Sequence, residues 1–169
     1  MTVSRVYKIN KNDSVNGKGI SVSVWFSGCP HKCKGCFNQE TWDPYLGNEL
    51  TDETIDEIIE AIGANGITRN LSILGGEPLA PYNINSVGEL LVRVRDVYPD
   101  IMVYLWTGYE WEDLREGQLD VVEMVNVLVD GPFDIDKKDI TLELRGSSNQ
   151  RILNREERRW LKKHNKSNR

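Results

Sequence analysis

The chain has 169 residues, 39% of them hydrophobic and 28% charged, and a formal net charge of −5. This is the balance of an ordinary one-domain globular protein, and it excludes a disordered tract, a fibrous repeat or a small scaffold that depends on disulfide staples. No run approaches the roughly 18 consecutive apolar residues of a membrane span. The opening MTVSRVYKINKND lacks the apolar stretch of a signal peptide, so a cytoplasmic protein with no membrane partner is expected.

In chain order, residues 19–26 (GISVSVWF) form a β-branched and aromatic run of strand length. It stops at Ser27-Gly28 and delivers the chain into a cysteine cluster. Residues 51–64 read as a helix with Thr51 as N-cap, Asp52 and Glu53 in the first turn, and Ile55, Ile58, Ile59 and Ile62 on one face. A strand at 71–74 leads into the turn Gly75-Gly76-Glu77-Pro78, and residues 85–98 again have helical spacing, through Val87, Leu90, Leu91, Val94 and Val97. A third strand is expected at 101–106, a loop at Thr107-Gly108-Tyr109, a short helix at 110–116, a buried strand at 121–129 and a last strand at 140–145. Residues 155–169 carry seven basic side chains against two acidic ones, which makes this tail +5 and the rest of the chain −10. We read it as a solvated, partly frayed terminal helix following a domain of residues 1–154, and direct nucleic-acid binding is not expected.

Strands alternating with helices predict parallel βαβ units whose chemistry lies in loops at the carboxyl ends of the strands. The chain is too short for a closed eight-fold barrel of about 250 residues. The expected fold is therefore α/β, an open partial (β/α) barrel.

All three cysteines fall in Cys29-Pro30-His31-Lys32-Cys33-Lys34-Gly35-Cys36. Thiols so close together, and odd in number, point to metal rather than to a disulfide framework. Three thiols on one loop can grip three corners of a cubane iron-sulfur cluster and leave the fourth iron open, as a metal centre that must admit a substrate requires. The other reading is a zinc site completed by His31 or His164, although the second ligand pair usual in such sites is missing. Lys32 and Lys34 are expected to favour thiolates.

The spacing of three and then two residues between cysteines resembles the radical S-adenosylmethionine superfamily. The longer string SGCPHKCKGCFNQETWD (27–43) is similar to the small activating proteins of glycyl radical enzymes, most of all those of anaerobic ribonucleotide reductases. GGEPL (75–79), LWTGY (105–109), NVLVDGPF (126–133) and RGSSNQRI (145–152) follow in the family's order, so the resemblance covers roughly residues 14–152. There are two departures. Asn16-Gly17-Lys18-Gly19-Ile20-Ser21 stands where the family usually has a Pro followed by an Arg. Gly35 also precedes the third cysteine where the wider superfamily commonly has an aromatic residue, and here the aromatic is Phe37.

The resemblance implies a radical S-adenosylmethionine oxidoreductase. Cys29, Cys33 and Cys36 would hold a 4Fe-4S cluster and act through it, with S-adenosylmethionine chelating the open iron. In this picture Gly75 and Gly76 admit the methionine moiety, Glu77 accepts from its ammonium, Thr107 lines the pocket, Phe37 contacts the adenine, and Gly35 is a further cofactor-binding residue. The implied partners are the glycyl radical subunit of an anaerobic ribonucleoside-triphosphate reductase and a one-electron donor such as flavodoxin or ferredoxin, with function only in the absence of oxygen. The alternatives are an activase of another glycyl radical enzyme, such as pyruvate formate-lyase, or a non-catalytic electron-transfer or zinc module.

Overall fold

The computed structural model describes residues 3–165; Lys166 and Arg169 of the basic tail lie outside them. Four strands, β2 (Ser21–Phe26), β4 (Asn70–Gly75), β5 (Val103–Trp106) and β6 (Val127–Asp130), run parallel as neighbours. Antiparallel strands extend them on both sides. On one side β1 (Arg5–Asp13) pairs with β2 and carries the two-residue β3 (Asn48–Glu49) on its far edge, and on the other β7 (Arg151–Asn154) pairs with β6. The result is a mixed seven-stranded sheet of order β3-β1-β2-β4-β5-β6-β7 in an α/β protein.

Side chains alternate across a strand, and here the alternation separates two environments. Val22, Val24 and Phe26 of β2, with Ile73, Leu105 and Leu128, are fully buried in the hydrophobic core. The helices α1 (Asp52–Ile62), α2 (Ile84–Val97) and α3 (Glu116–Glu123) contribute Ile58, Ile62, Leu90, Leu91 and Val122 to the same core. The opposite face carries Ser21, Ser23 and Trp25 of β2, Ser72 of β4, and Tyr104 and Trp106 of β5. It is covered by irregular chain rather than helix. Ser72 Oγ donates to Asn16 O at 2.5 Å, and the Trp106 indole donates to Leu144 O at 2.7 Å.

α1 starts where its sequence predicts, because Thr51 Oγ1 accepts from the Thr54 amide at 3.3 Å. Arg69 Nη1 caps its end from outside, donating to Ala61 O (3.3 Å) in the last turn and to Ala64 O (2.9 Å) and Ile67 O (3.0 Å) in the 3-10 turn that follows. Arg158 serves the end of α3 in the same way, donating to Val122 O (3.4 Å) and to Val125 O just beyond the helix (2.7 Å), and it also donates to Leu153 O of β7 at 2.9 Å. Arg158 sits in α4 (Arg155–Asn165) and is buried, so this helix is docked on the body through Arg158 and the half-buried Leu161, while its other side chains are solvated as expected. No helix among the described residues is long and apolar enough to cross a membrane.

The structure corrects three expected elements. Residues 121–123 end α3 and only Val127–Asp130 is strand, because an apolar run does not by itself distinguish a buried strand from a buried helical turn. The short helix expected at 110–116 is a 3-10 turn, Trp111–Asp113, followed by α3 from Glu116. Residues 140–145 form turns instead of a strand, with Leu144 at φ +59° and its carbonyl taken by Trp106, while the last strand is β7.

Candidate metal centre

The loops that follow β2, β4, β5 and β6 all leave the carboxyl ends of parallel strands, where a doubly wound sheet offers a crevice. The thiol loop after β2 and the glycine loop after β4 are joined backbone to backbone: Gly76 N donates to Phe26 O at 2.8 Å and Glu77 N to Gly28 O at 2.7 Å. Buried Asn83 adds a third tie, its Nδ2 donating to Ser27 O (2.9 Å) and to Glu77 O (3.0 Å).

Cys29, Cys33 and Cys36 are unpaired, half-buried, and open on one cavity of about 430 Å³ that they share with Gly75, Gly76 and Thr107. Burial pushes the Cys29 thiol up to about 11; the amides of His31 and Lys32 pull it partly back, and the Glu77 charge adds to the rise. Cys33 is raised too, first by burial and then by the charges of Cys36 and Glu77 against opposing amide bonds. The thiolates expected from the flanking lysines are thus not favoured in the metal-free protein, since Lys32 and Lys34 are exposed and burial dominates. A metal held by these thiols would have to displace their protons, and loading would release them.

Among the described residues no three His, Cys, Asp or Glu side chains converge as a site for a single ion. Both candidate fourth ligands for zinc are engaged elsewhere. His31 Nε2 meets Glu77 Oε2 at 2.7 Å, and His164 Nδ1 meets Trp160 O at 2.8 Å. Three sulfurs spread along one cavity wall suit a polynuclear cluster, in which each sulfur takes its own iron.

Glu77 differs from the ligand contact that was expected of it. Its side chain is fully buried and both oxygens are satisfied internally. Oε1 accepts from Leu79 N (2.9 Å) and Thr107 Oγ1 (2.8 Å), while Oε2 accepts from Gly108 N (2.8 Å) and pairs with His31. Four partners fill the carboxylate's acceptor sites, and deleting one would cost on the order of 1–3 kcal/mol. No sequence spacing signals a bond between residues 46 apart.

The other expected residues are placed as follows. Gly75 has φ +113°, and a Cβ there would lie 2.5 Å from Phe26 O, so only glycine lets the loop close on β2. Gly76 borders the cavity beside it. Thr107 reaches the cavity wall while its hydroxyl holds Glu77. Phe37 is exposed at the rim, tilted against Phe133 at 5.1 Å with Lys138 Nζ 5.0 Å above its ring. Gly35 is the exposed φ +73° turn between Cys33 and Cys36 and does not border the cavity. Trp25, Trp106 and Leu144 complete an apolar wall that sequence reasoning did not assign to the site.

Residues 15–153 match the family model described as a 4Fe-4S single cluster domain. The chain is 42% identical over 139 residues to the anaerobic ribonucleoside-triphosphate reductase-activating protein of Escherichia coli (strain K12), covering 82% of this chain and 90% of the relative. It is 43% identical to the protein of that name from Vibrio cholerae, over 83% of this chain and 91% of the relative. Its identity to the one from Enterobacteria phage T4 is 36%, over 95% and 98%.

Proposed function

Because the chain belongs to the family of anaerobic ribonucleoside-triphosphate reductase-activating proteins, with its 4Fe-4S single cluster domain, we propose that it activates such a reductase by generating its glycyl radical. When bound, the 4Fe-4S cluster supplies the electron that cleaves S-adenosylmethionine, and the resulting 5′-deoxyadenosyl radical takes a hydrogen atom from a glycine of the reductase.

The chain's own residues hold, orient and shelter. Cys29, Cys33 and Cys36, which all open on the cavity, would hold the cluster by three thiolates and leave one iron for a ligand. Gly75 and Gly76 bring main chain to the cavity wall, the missing Cβ atoms leaving room for the backbone of Phe26 and Gly28 behind them, and Thr107 lines the same wall. Trp25, Trp106 and Phe37 offer flat apolar surface to a nucleoside and exclude water from the reacting centre. We read the sheet as an open partial barrel with its serine and tryptophan face inward, so that a loop of the reductase's glycyl radical subunit can enter. Residues 1–154 then form the catalytic domain, with 155–169 as a basic appendage. A cytoplasmic one-electron donor such as flavodoxin or ferredoxin completes the scheme.

The observation that carries this reading is three thiols and a glycine wall on one cavity of nucleoside size. The test is reconstitution with iron and sulfide without oxygen, reduction, and addition of S-adenosylmethionine. 5′-Deoxyadenosine is expected, together with a glycyl doublet in electron paramagnetic resonance once the reductase is added. A fully loaded, reduced cluster that yields no 5′-deoxyadenosine overturns the proposal, and a doublet on pyruvate formate-lyase but not on the reductase reassigns the partner.

A further inference from the structure

The most completely engaged charged side chain near the cavity is one the reaction scheme does not use. Glu77 accepts from its own loop (Leu79 N), from the loop after β5 (Thr107 Oγ1 and Gly108 N) and from the thiol loop (His31 Nε2). A single carboxylate therefore ties together three of the loops that border the cavity, those after β2, β4 and β5, and it has no acceptor site left for a ligand.

His31 is its contact with the thiols. It lies two residues from Cys29 and two from Cys33, and its side chain is clamped on three sides. Glu77 holds Nε2, and the Tyr109 ring meets the imidazole edge-on at 4.6 Å and 75°. The Gly108 backbone lies directly against the ring, so close that a Cβ there would stand 2.5 Å from His31 Cδ2. The next residue, Lys32, has φ +47°, an uncommon conformation for a residue with a side chain, which persists only where the surroundings impose it.

We propose that His31 and Glu77 are positioning residues. They form a latch that fixes the thiol loop against the glycine loop and so sets the orientation in which S-adenosylmethionine meets the cluster. The proposal rests on the reading given above for the cavity. His31 touches the ligand's reacting atoms nowhere in this scheme and acts through Cys29 and Cys33.

The test compares full-length His31→Ala, His31→Gln and Gly108→Ala with the wild type. In metal-free protein, amide exchange across residues 29–36 should quicken at least tenfold in His31→Ala and Gly108→Ala, with β2 and β4 unchanged. His31→Gln, which keeps a donor for Glu77, should stay within threefold. After reconstitution, His31→Ala should hold wild-type iron and sulfide, because its three thiols are intact. Its KM for S-adenosylmethionine should nevertheless rise at least tenfold, and the spectral change that this ligand induces in the reduced cluster should be altered. Wild-type exchange together with a wild-type ligand-induced spectrum in His31→Ala overturns the latch. If the wild-type cluster shows no spectral response to S-adenosylmethionine, the functional reading falls, and the exchange measurement alone decides the latch. Should His31→Ala fail to fold, Gly108→Ala against His31→Gln makes the same comparison.

Discussion

The two faces of the same four parallel strands obey different rules. Toward the helices, β2, β4 and β5 present Val24, Phe26, Ile73 and Leu105, dry and fully buried. Toward the cavity they present Ser23, Trp25, Ser72 and Trp106, covered by loops that hold on through single hydrogen bonds. One face carries stability through area removed from water, and the other trades area for room and for polar anchors. A strand pattern alternating Val with Ser thus describes a molecule whose two sides serve different ends.

The deepest cut through this contrast is Cys33→Ala. It lies wholly on the cavity side, so 5′-deoxyadenosine formation should vanish while circular dichroism and the urea midpoint remain near wild type. Turnover by the variant would remove Cys33 from the ligand set. On the helix side, Ile73→Ala should lower stability by about 2–5 kcal/mol in denaturant titration, and a loss close to zero would mean that the apolar face is not the stabilising one.

Smaller effects sharpen the division. Arg158→Leu leaves the carbonyls of Val125 and Leu153 without their donor, and should cost about 1–3 kcal/mol even though it adds an apolar side chain to an apolar layer. Ser72→Ala, one strand face away from Ile73, should cost only about 1 kcal/mol, the worth of its bond to Asn16 O. Outside the cavity, Arg151 donates to Glu112 and holds its carboxyl below the usual range, with burial opposing. A carboxyl lowered by folding stabilises above its ordinary value of 4.5 and loses that contribution as pH falls through the lowered one. The stability gap between wild type and Glu112→Gln should accordingly be small at pH 6 and close on acidification, as read from urea midpoints between pH 6 and pH 3. A gap that widens toward acid would contradict the sign.

What could be read from the residues depended on how local the signal was. β2, α1 and α2 announce themselves through spacing, and Thr51 marks its helix start because a cap acts over three residues. β1 stayed hidden because Lys8, Asn10, Lys11 and Asn12 dilute its alternation on a strand whose side chains are largely exposed. β7 is four residues long and paired only at a distance in sequence. Val121 and Val122 are equally compatible with a helix and a strand, and tertiary packing decided for the helix. In the site, the three cysteines fall within eight residues and were visible at once. The Glu77 network, made by four donors from positions 31, 79, 107 and 108, has no local signature, and a carboxylate beside two glycines was naturally taken for a ligand contact.

Val6 in β1 pairs with Phe26 on one side and with Asn48 on the other. Residues 27–47, which include every thiol, are therefore a ring shut by main-chain bonds on both flanks of a single residue. In a zinc finger the metal itself must draw its ligand segments together, and the peptide stays unfolded until it does. Here folding has already closed the ring, so iron held by these three thiols would meet a chelate whose closure entropy no longer counts against its affinity.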